Sequence, residues 1–287
     1  MSASFRSYDS YDGTRLAYRE LGSGDPLVVL PGGPMADSAY LGDLGGLGGP
    51  GTGRRLIVLE PRGTGASETP ADPATYRCDR QVADVEALRA HLGFERLDLL
   101  AHSAGAVVAV LYTAAHPERV GRMALIAPST YAVGIKRNGA TRRPAAHLRA
   151  AEPWFPAAIA AFERIEADEE SEADWDAIAP FSYGRWDEAA RAHYAAGDDW
   201  SNPQAEDAFH AEDAVDPAAV RAALGTLAAP VLVLAGALDW ATTPAIAAEF
   251  AALFPQSELA VQEGAAHLPW LDDAQWFRGR VVEFLAG

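Results

Sequence analysis

The segment Leu97-Asp98-Leu99-Leu100-Ala101-His102-Ser103-Ala104-Gly105 decides the fold of this 287-residue chain. Its apolar first half predicts a buried strand, and the run from Ala104 to Ala115 predicts a helix that begins at once. A serine between strand and helix, with small residues two positions to either side, is typical of a tight turn that exposes the hydroxyl group as a nucleophile. We therefore predict that Ser103 is a catalytic nucleophile and that the amide of Ala104, at the helix N-terminus, faces a developing oxyanion.

A serine nucleophile needs a base, and the base needs a carboxylate that orients it. When the serine lies on such a turn, the acid and then the histidine follow it along the chain, each after a later strand. Of the seven histidines, only His267 lies beyond the last predicted strand, and Asp239 follows the apolar run 231–234. The expected triad is therefore Ser103, His267 and Asp239.

The second oxyanion donor is expected after the apolar run 27–30, in Pro31-Gly32-Gly33-Pro34. Glycines let the backbone approach a substrate closely, so the amide of Gly33 is predicted to act together with that of Ala104. We also predict that Gly32, His102 and Trp240, which are sequence neighbours of these groups, contact the substrate.

Short apolar runs alternate with helical patterns through the first and last parts of the chain, which predicts a mostly parallel, twisted sheet with helices on both faces. The first two segments, 5–9 and 15–21, alternate around Asp12-Gly13 and predict an antiparallel hairpin at the edge of the sheet. The predicted strands are 27–30, 56–59, 97–100, 123–126, 231–234 and 259–261. The predicted helices lie in 82–92, 104–115 and 245–253.

The alternation stops near Tyr131 and resumes near Ala229, and the stretch between them has helical character, for example in 157–167. We interpret residues 131–224 as a helical cap inserted before the strand that carries Asp239, and residues 1–130 with 225–287 as the α/β core. Residues 131–224 are called the cap segment below.

The composition, with 40 acidic and 23 basic side chains, gives a formal charge of −17 and a pI near 4.7, which argues against nucleic acid as a partner. No apolar run approaches the ~20 residues that span a bilayer, so no membrane association is expected. A single cysteine, Cys78, and the absence of a secretory pattern in 1–21 indicate a cytoplasmic protein. Whether it is a monomer or a homo-oligomer stays open.

The negative charge is concentrated in residues 150–224, which hold 18 acidic residues against four arginines and net −14. The same stretch holds ten aromatic residues, which a solvated tail would not be expected to keep. Two interpretations follow: a helical surface with charges facing water, or an acidic, aromatic-lined cover over Ser103 that favours a cationic substrate.

No cofactor or metal is predicted. The run Gly46-Leu47-Gly48-Gly49-Pro50-Gly51 has the glycine spacing of a dinucleotide site, but Pro50 interrupts it and a strand follows it, so we expect a loop. The chain has no phosphate-binding P-loop, no CxxC pair and no histidine pair at metal-ligand spacing.

Over nearly its whole length the chain resembles α/β-hydrolases. The resemblance rests on Leu30-Pro31-Gly32-Gly33-Pro34, Pro61-Arg62-Gly63-Thr64-Gly65-Ala66-Ser67, the turn at Ser103, Gly236-Ala237-Leu238-Asp239 and Ala266-His267-Leu268-Pro269-Trp270, in the order of that family. The Gly-Gly-Pro loop most resembles that of proline iminopeptidases. Pro31 and Met35 depart from that subfamily, which usually has His and Gly there, and Arg191 stands where a cap carboxylate is expected.

The resemblance implies a serine hydrolase that acts by acyl transfer on a small ester or amide, with a small molecule or short peptide as its partner. An amino-terminal peptidase would hold the substrate ammonium with cap carboxylates, for which Glu163, Glu166, Asp198 and Asp199 are candidates. An esterase or lactonase of a small specialised metabolite explains the aromatic residues equally well. A ligand-binding relative without turnover is the remaining alternative.

Overall fold

The computed structural model describes residues 5–197 and 200–287. Within these residues one eight-stranded sheet forms the centre, in the order β1-β2-β4-β3-β5-β6-β7-β8. The β1–β2 and β2–β4 pairs are antiparallel and all other pairs are parallel, which confirms the predicted α/β fold and its edge hairpin. The strands are β1 (Phe5–Asp9), β2 (Arg15–Gly22), β3 (Asp25–Leu30), β4 (Arg54–Leu59), β5 (Leu97–His102), β6 (Val120–Ile126), β7 (Val231–Gly236) and β8 (Ser257–Gln262).

The central strands are apolar at consecutive positions because both faces of the sheet are covered. In β7, Val231 and Val233 pack into the core on one face, while Leu232 and Leu234 pack into the core on the other. Every residue of β7 is buried. Because the side chains of such a strand are buried on both faces of the sheet, its sequence is a continuous apolar run rather than an alternation of apolar and polar residues.

The helices in the first and last parts of the chain agree with the sequence pattern. The α1 helix ends at Gly93, whose φ of 71° is the left-handed conformation that glycine adopts readily. The α9 helix begins after Thr243, whose hydroxyl caps it, with Pro244 in its first turn. These helices are α1 (Cys78–Leu92), α2 (Gly105–Ala115), α9 (Pro244–Ala251), α10 (Pro269–Asp272) and α11 (Ala274–Ala286).

Between β6 and β7 the described residues form helices and no named strand. They are α3 (Gly139–His147), α4 (Phe155–Glu166), α5 (Glu172–Ile178), α6 (Glu188–Ala195), α7 (Pro203–Phe209) and α8 (Pro217–Leu224). Phe209 of α7 and Val220 and Leu224 of α8 are buried in the core that also contains α2. The packing therefore joins α7 and α8 to the α/β core, whereas the buried residues of α3, α4 and α5 form a cluster of their own.

The charge of the cap segment is smaller than residues 150–224 alone indicate. The preceding stretch, 131–149, holds five basic residues and no acidic one, so the whole cap segment, with 18 acidic and nine basic residues, nets −9. Two of these arginines pair with acids on α4, Arg143 with Glu163 and Arg142 with Glu166. Part of the predicted acidic cover is thus neutralised within the cap.

Two further predictions concern the rest of the chain. Residues 46–51 form turns between a short helix and β4, which confirms the predicted loop. In the described part of the chain, no helix has the length and apolar character that crossing a membrane requires.

Candidate active site

Ser103 lies on the turn between β5 and α2, with a positive φ of 49° that is uncommon for a residue other than glycine. The turn is held on both sides, because the Ser103 amide donates to the carbonyl of Ile126 at 3.0 Å and the Ser103 carbonyl accepts from the amide of Ser129 at 2.9 Å. A side chain at Gly105 would lie 2.5 Å from the Pro31 carbonyl oxygen. This contact explains why the turn requires a glycine at that position.

Three side chains from separate loops form one hydrogen-bonded chain. The Oγ atom of Ser103 lies 2.9 Å from Nε2 of His267, and Nδ1 of His267 lies 2.9 Å from Oδ2 of Asp239. Asp239 is fully buried, whereas the His267 side chain retains 16% exposure. Because the carboxylate only accepts, Nδ1 of His267 carries a proton when it binds Asp239, and its neutral ring leaves Nε2 free to accept from Ser103.

The Asp239 carboxylate is fixed by the loop that carries it. Its Oδ1 atom accepts the amides of Ala241 at 2.8 Å and Thr242 at 3.0 Å, which leaves Oδ2 for His267. Hydrogen bonds from backbone amides compensate the burial of a carboxylate. The group that faces His267 is therefore a positioned acceptor.

The loop that carries His267 is held through its backbone. The His267 amide donates to the carbonyl of Ser182, next to the cap helices, at 3.1 Å, and the Ala266 amide donates to Asp272 at 2.9 Å. The position of the imidazole thus depends on contacts with the cap as well as with the core.

The loop Pro31–Pro34, called the oxyanion loop below, follows β3 and lies against the Ser103 turn. A side chain at Gly32 would lie 2.9 Å from Cβ of Ser103. Gly33 has a φ of 116°, and the Gly33–Pro34 bond is cis. Gly33 and Ser103 line the same cavity, and among the described residues no hydrogen bond to a protein group occupies the amide of Gly33 or of Ala104. Both amides are available to an oxyanion.

A second hydrogen-bonded chain joins the oxyanion loop to the loop of His267. The Gly32 amide donates to the Tyr40 hydroxyl at 2.6 Å, this hydroxyl lies 2.7 Å from Nδ1 of His102, and Nε2 of His102 lies 2.9 Å from the His267 carbonyl. Because a carbonyl only accepts, Nε2 of His102 carries the proton, and Nδ1 accepts from Tyr40.

Burial holds the pKa of the His102 imidazole well below its usual 6.5, and the nearby His267 lowers it further. His102 is therefore neutral, which is the state that this tautomer requires. His102, which was predicted to contact the substrate, lies beside Ser103. Both of its ring nitrogens form hydrogen bonds within the protein.

The cavity above Ser103, called the Ser103 cavity below, has a volume of about 220 Å³. Aromatic side chains from the core and from the cap segment form much of its wall, and no carboxylate of the described residues lines it. Its aromatic lining residues other than histidine are Tyr40, Tyr183, Tyr194 and Trp200.

Within 5–197 and 200–287 there is also no group of three His, Cys, Asp or Glu residues that could hold a metal ion.

The structure does not bring two of the predicted substrate contacts into this cavity. Glu163 lies on α4, is 57% exposed and pairs with Arg143 at 2.5 Å. Trp240 is buried against Phe162 and Phe181, with the Arg142 guanidinium 5.1 Å above its ring. It therefore packs the cap onto the loop of Asp239, which its sequence position beside the acid did not reveal.

The other residues predicted to contact the substrate have different positions. Gly32 serves the site through its amide, which holds Tyr40, and through its close approach to Ser103. Asp199, like Asp198, lies outside the described residues. Arg191, which occupies the position expected for a cap carboxylate, is exposed and does not line the Ser103 cavity.

Sequence reasoning missed Tyr40, Tyr183, His193 and Trp200. His193 lines the Ser103 cavity, where its Nδ1 atom lies 2.8 Å from the Tyr183 hydroxyl and its Nε2 atom 2.9 Å from the Tyr40 carbonyl. For Tyr183 and Trp200 the available signal was the density of aromatic residues in the cap segment, whereas no such signal marked Tyr40.

A family model described as the alpha/beta hydrolase fold matches residues 25–274. The chain belongs to the α/β-hydrolase family. This membership confirms the predicted family and fold, and it agrees with the predicted class of enzyme, a hydrolase of peptide or ester bonds.

Among curated relatives, a proline iminopeptidase of Lactobacillus helveticus is 37% identical over 131 residues, which are 44% of this chain and 42% of that protein. The match thus spans less than half of that relative. A proline iminopeptidase of Heyndrickxia coagulans is 24% identical over 93% of each chain. These relatives confirm the resemblance to proline iminopeptidases.

Solved structures with the same fold include proteins named as peptidases and as esterases. Proline iminopeptidase of Mycobacterium smegmatis has a TM-score of 0.76 and 24% identity, over 99% of this chain and 98% of its own. The esterase RhEst1 of Rhodococcus sp. ECU1013 has a TM-score of 0.75 and 26% identity over 99% of each chain. These two structures are thus about equally similar to this chain in fold.

Proposed function

We propose that this protein is a serine hydrolase that acts by acyl transfer on small esters or amides. The observation that carries the proposal is the continuous chain from Ser103 through His267 to Asp239, with both hydrogen bonds at 2.9 Å and Ser103 at the base of a cavity. Nucleophile, base and orienting carboxylate in this geometry are what acyl transfer requires.

In the first half of the reaction, the Ser103 oxygen attacks the substrate carbonyl carbon while its proton passes to Nε2 of His267. The carbonyl oxygen becomes negative and accepts from the amides of Gly33 and Ala104. His267 then donates its new proton to the leaving alcohol or amine, which leaves an ester on Ser103.

In the second half, His267 removes a proton from water, which attacks the ester carbonyl. Collapse of the second tetrahedral intermediate returns the proton to Ser103 and releases the acid. Throughout, Asp239 accepts from Nδ1 of His267 and stabilises the imidazolium form without taking the proton itself.

Substitution of the nucleophile tests this proposal. Ser103→Ala is expected to lower kcat for p-nitrophenyl acetate by about 10⁴-fold or more and to abolish labelling by a fluorophosphonate probe. Ser129→Ala, a nearby serine outside the proposed triad, is the matched control and is expected to remain labelled.

Wild-type protein that is fully folded in a thermal melt but neither labelled nor active would contradict the proposal. That result would favour a ligand-binding relative without turnover.

For the substrate, we infer a small, partly apolar ester. The inference is supported by the size of the Ser103 cavity, about 220 Å³, and by its aromatic walls without a carboxylate among the described residues. A cavity of this kind selects by shape and apolar contact rather than by charge. Small specialised esters and lactones fit this description.

An amino-terminal peptidase is the second candidate, favoured by the similarity to proline iminopeptidases over 93% of the chain. Its ammonium-binding carboxylate would have to be other than Glu163 and Glu166, which pair with Arg143 and Arg142 and do not line the Ser103 cavity. Asp198 and Asp199 are the candidates that stay open, since they stand in sequence between two residues that line the Ser103 cavity, Gly197 and Trp200.

The ratio of kcat/KM for proline p-nitroanilide to that for p-nitrophenyl acetate separates the two candidates. A peptidase prefers the anilide and loses that preference in Asp198→Asn or Asp199→Asn, but keeps it in Glu163→Gln. An esterase prefers the acetate, and none of the three variants changes its ratio.

A further inference from the structure

A second cavity, with a volume of about 230 Å³, lies beside the Ser103 cavity and has no part in the reaction described above. It lies between α6 and α10, the short helix that follows the loop of His267. The residues that line it are Tyr183, Arg185, Asp187, Ala189, Ala190, His193, Leu271 and Asp272.

Two residues line both cavities, Tyr183 and His193. The two cavities therefore adjoin at these two residues, whose side chains are called the wall below. Together the cavities enclose about twice the volume of either one, so the wall decides how much of this volume a substrate on Ser103 can use.

Both ring nitrogens of His193 form hydrogen bonds, which hold this part of the wall in place. Its Nε2 atom must carry a proton, because its partner at 2.9 Å is the Tyr40 carbonyl, and its Nδ1 atom accepts from the Tyr183 hydroxyl at 2.8 Å. The ring of His193 also packs edge-on against Trp200, at 5.0 Å between centroids. A side chain fixed from three sides acts as a steric barrier.

The second cavity suits an uncharged chain. Ala189, Ala190 and Leu271 supply apolar surface. Its charged groups have partners, since Asp272 accepts the amides of Gly184 and Ala266, and Arg185 lies 3.7 Å from Asp187. An added ionic group would compete with these partners, whereas a methylene chain would not.

We propose that His193 is a specificity-determining residue that restricts the enzyme to short substrates by closing off a second, chain-binding subsite. The proposal rests on the proposed function, since it concerns substrates that acylate Ser103. Removal of the imidazole joins the two cavities and admits esters whose uncharged chain extends past Tyr183.

The test compares kcat/KM along two series of esters. One series lengthens the acyl chain, from p-nitrophenyl acetate to p-nitrophenyl octanoate, and the other lengthens the alcohol, from ethyl to octyl acetate. Burial of one methylene group is worth roughly fourfold, so His193→Ala is expected to raise the long-to-short ratio at least tenfold in one series. That series identifies the half of the substrate that enters the second cavity.

Tyr183→Phe is the matched control. It removes the hydroxyl that binds Nδ1 of His193 but keeps both rings of the wall, so its long-to-short ratio is expected to stay within about twofold of the wild type. His193→Ser serves as a second opening variant if His193→Ala does not fold. A wild type that accepts octyl and octanoyl esters as well as acetates, or an unchanged ratio in both opening variants, overturns the proposal.

A measurement without turnover keeps this proposal separate from the proposed function. Titration calorimetry with 1-octanol is expected to show binding to the opened variants at least tenfold tighter than to the wild type, with ethanol as the control ligand. Such binding without fluorophosphonate labelling supports the subsite and contradicts the hydrolase, whereas labelling with equal 1-octanol binding in all variants contradicts the subsite alone.

Discussion

At the scale of single residues, the Tyr40 hydroxyl determines how the oxyanion loop meets the rest of the site. It accepts the amide of Gly32 and donates to His102, whose other nitrogen holds the carbonyl of His267. One buried oxygen therefore connects the residue before the proposed donor Gly33 to the backbone of the proposed base. Burial raises the pKa of Tyr40, so this oxygen keeps its proton.

Tyr40→Phe is expected to lower kcat by about tenfold with little change in KM, because it loosens Gly33 without deleting its amide. Complete loss of an oxyanion donor lowers kcat by ~100- to 1,000-fold, which is the upper limit for the effect of Tyr40→Phe. Stability should also fall by about 1–3 kcal/mol, since the Gly32 amide and Nδ1 of His102 lose a partner in a buried setting.

Tyr8→Phe is the control for this loss of stability. Tyr8 is also buried, and its hydroxyl donates to the backbone carbonyl of Asp84 at 3.1 Å, far from the site in sequence. Steady-state kinetics and urea unfolding of both variants separate the two effects. Equal kcat values in the two variants would show that Tyr40 has only a structural role.

At the scale of secondary-structure elements, the site depends on how closely β3 approaches the start of α2. The carbonyl oxygens of Leu30, the last residue of β3, and of Pro31, the first of the oxyanion loop, both lie within 2.5 Å of the place where a Cβ atom at Gly105 would be. Gly105 is also the first residue of α2. The packing of strand, oxyanion loop and helix therefore requires the absence of one side chain.

Gly105→Ala is expected to destabilise the protein by about 2 kcal/mol or more, because the methyl group pushes β3 and α2 apart, and to lower kcat by moving Ala104. Gly279→Ala is the control, and it is expected to change stability in the opposite direction. Gly279 lies in α11 with open space where the methyl group would be, so its replacement should stabilise by about 0.5–1 kcal/mol through helix propensity. Urea unfolding at one pH measures both, and a Gly105→Ala variant as stable as the wild type would contradict this account.

The elements that the sequence predicted well are those with local causes. The Ser103 turn requires small residues at fixed positions, Gly93 ends α1 through its own backbone angle, and strands such as β7 are apolar because both faces are covered. Asp239 and His267 could be found because each follows an apolar run. In each case neighbouring residues of the sequence carry the pattern that allows the prediction.

The cap could not be read in the same way, because its contacts join distant segments. His193 contacts Tyr40 across 153 positions, and the partner of Glu163 is Arg143 on another helix. A charge pattern records how many acids a segment holds but not which arginines neutralise them. The predicted role of Glu163 rested on such a pattern.

At the scale of the whole molecule, the charge of −17 is spread more evenly than residues 150–224 alone indicate. The cap segment nets −9, which leaves −8 for the remaining residues. No carboxylate among the described residues lines the Ser103 cavity. The charges of the described residues can therefore act on a substrate in that cavity through the long-range field of the protein.

The effect of such a long-range field on a substrate depends on salt, because the screening length falls to about 8 Å at 0.15 M ionic strength. This salt dependence can be measured with three p-nitrophenyl acyl esters of similar shape. Their acyl groups end in a trimethylammonium, a tert-butyl or a carboxylate group. As ionic strength rises from 20 to 500 mM, kcat/KM is expected to fall by about threefold for the cation, stay constant for the neutral ester and rise for the anion. A preference for the cation that persists at 500 mM would instead indicate a direct carboxylate contact, for which Asp198→Asn and Asp199→Asn are the next variants to measure.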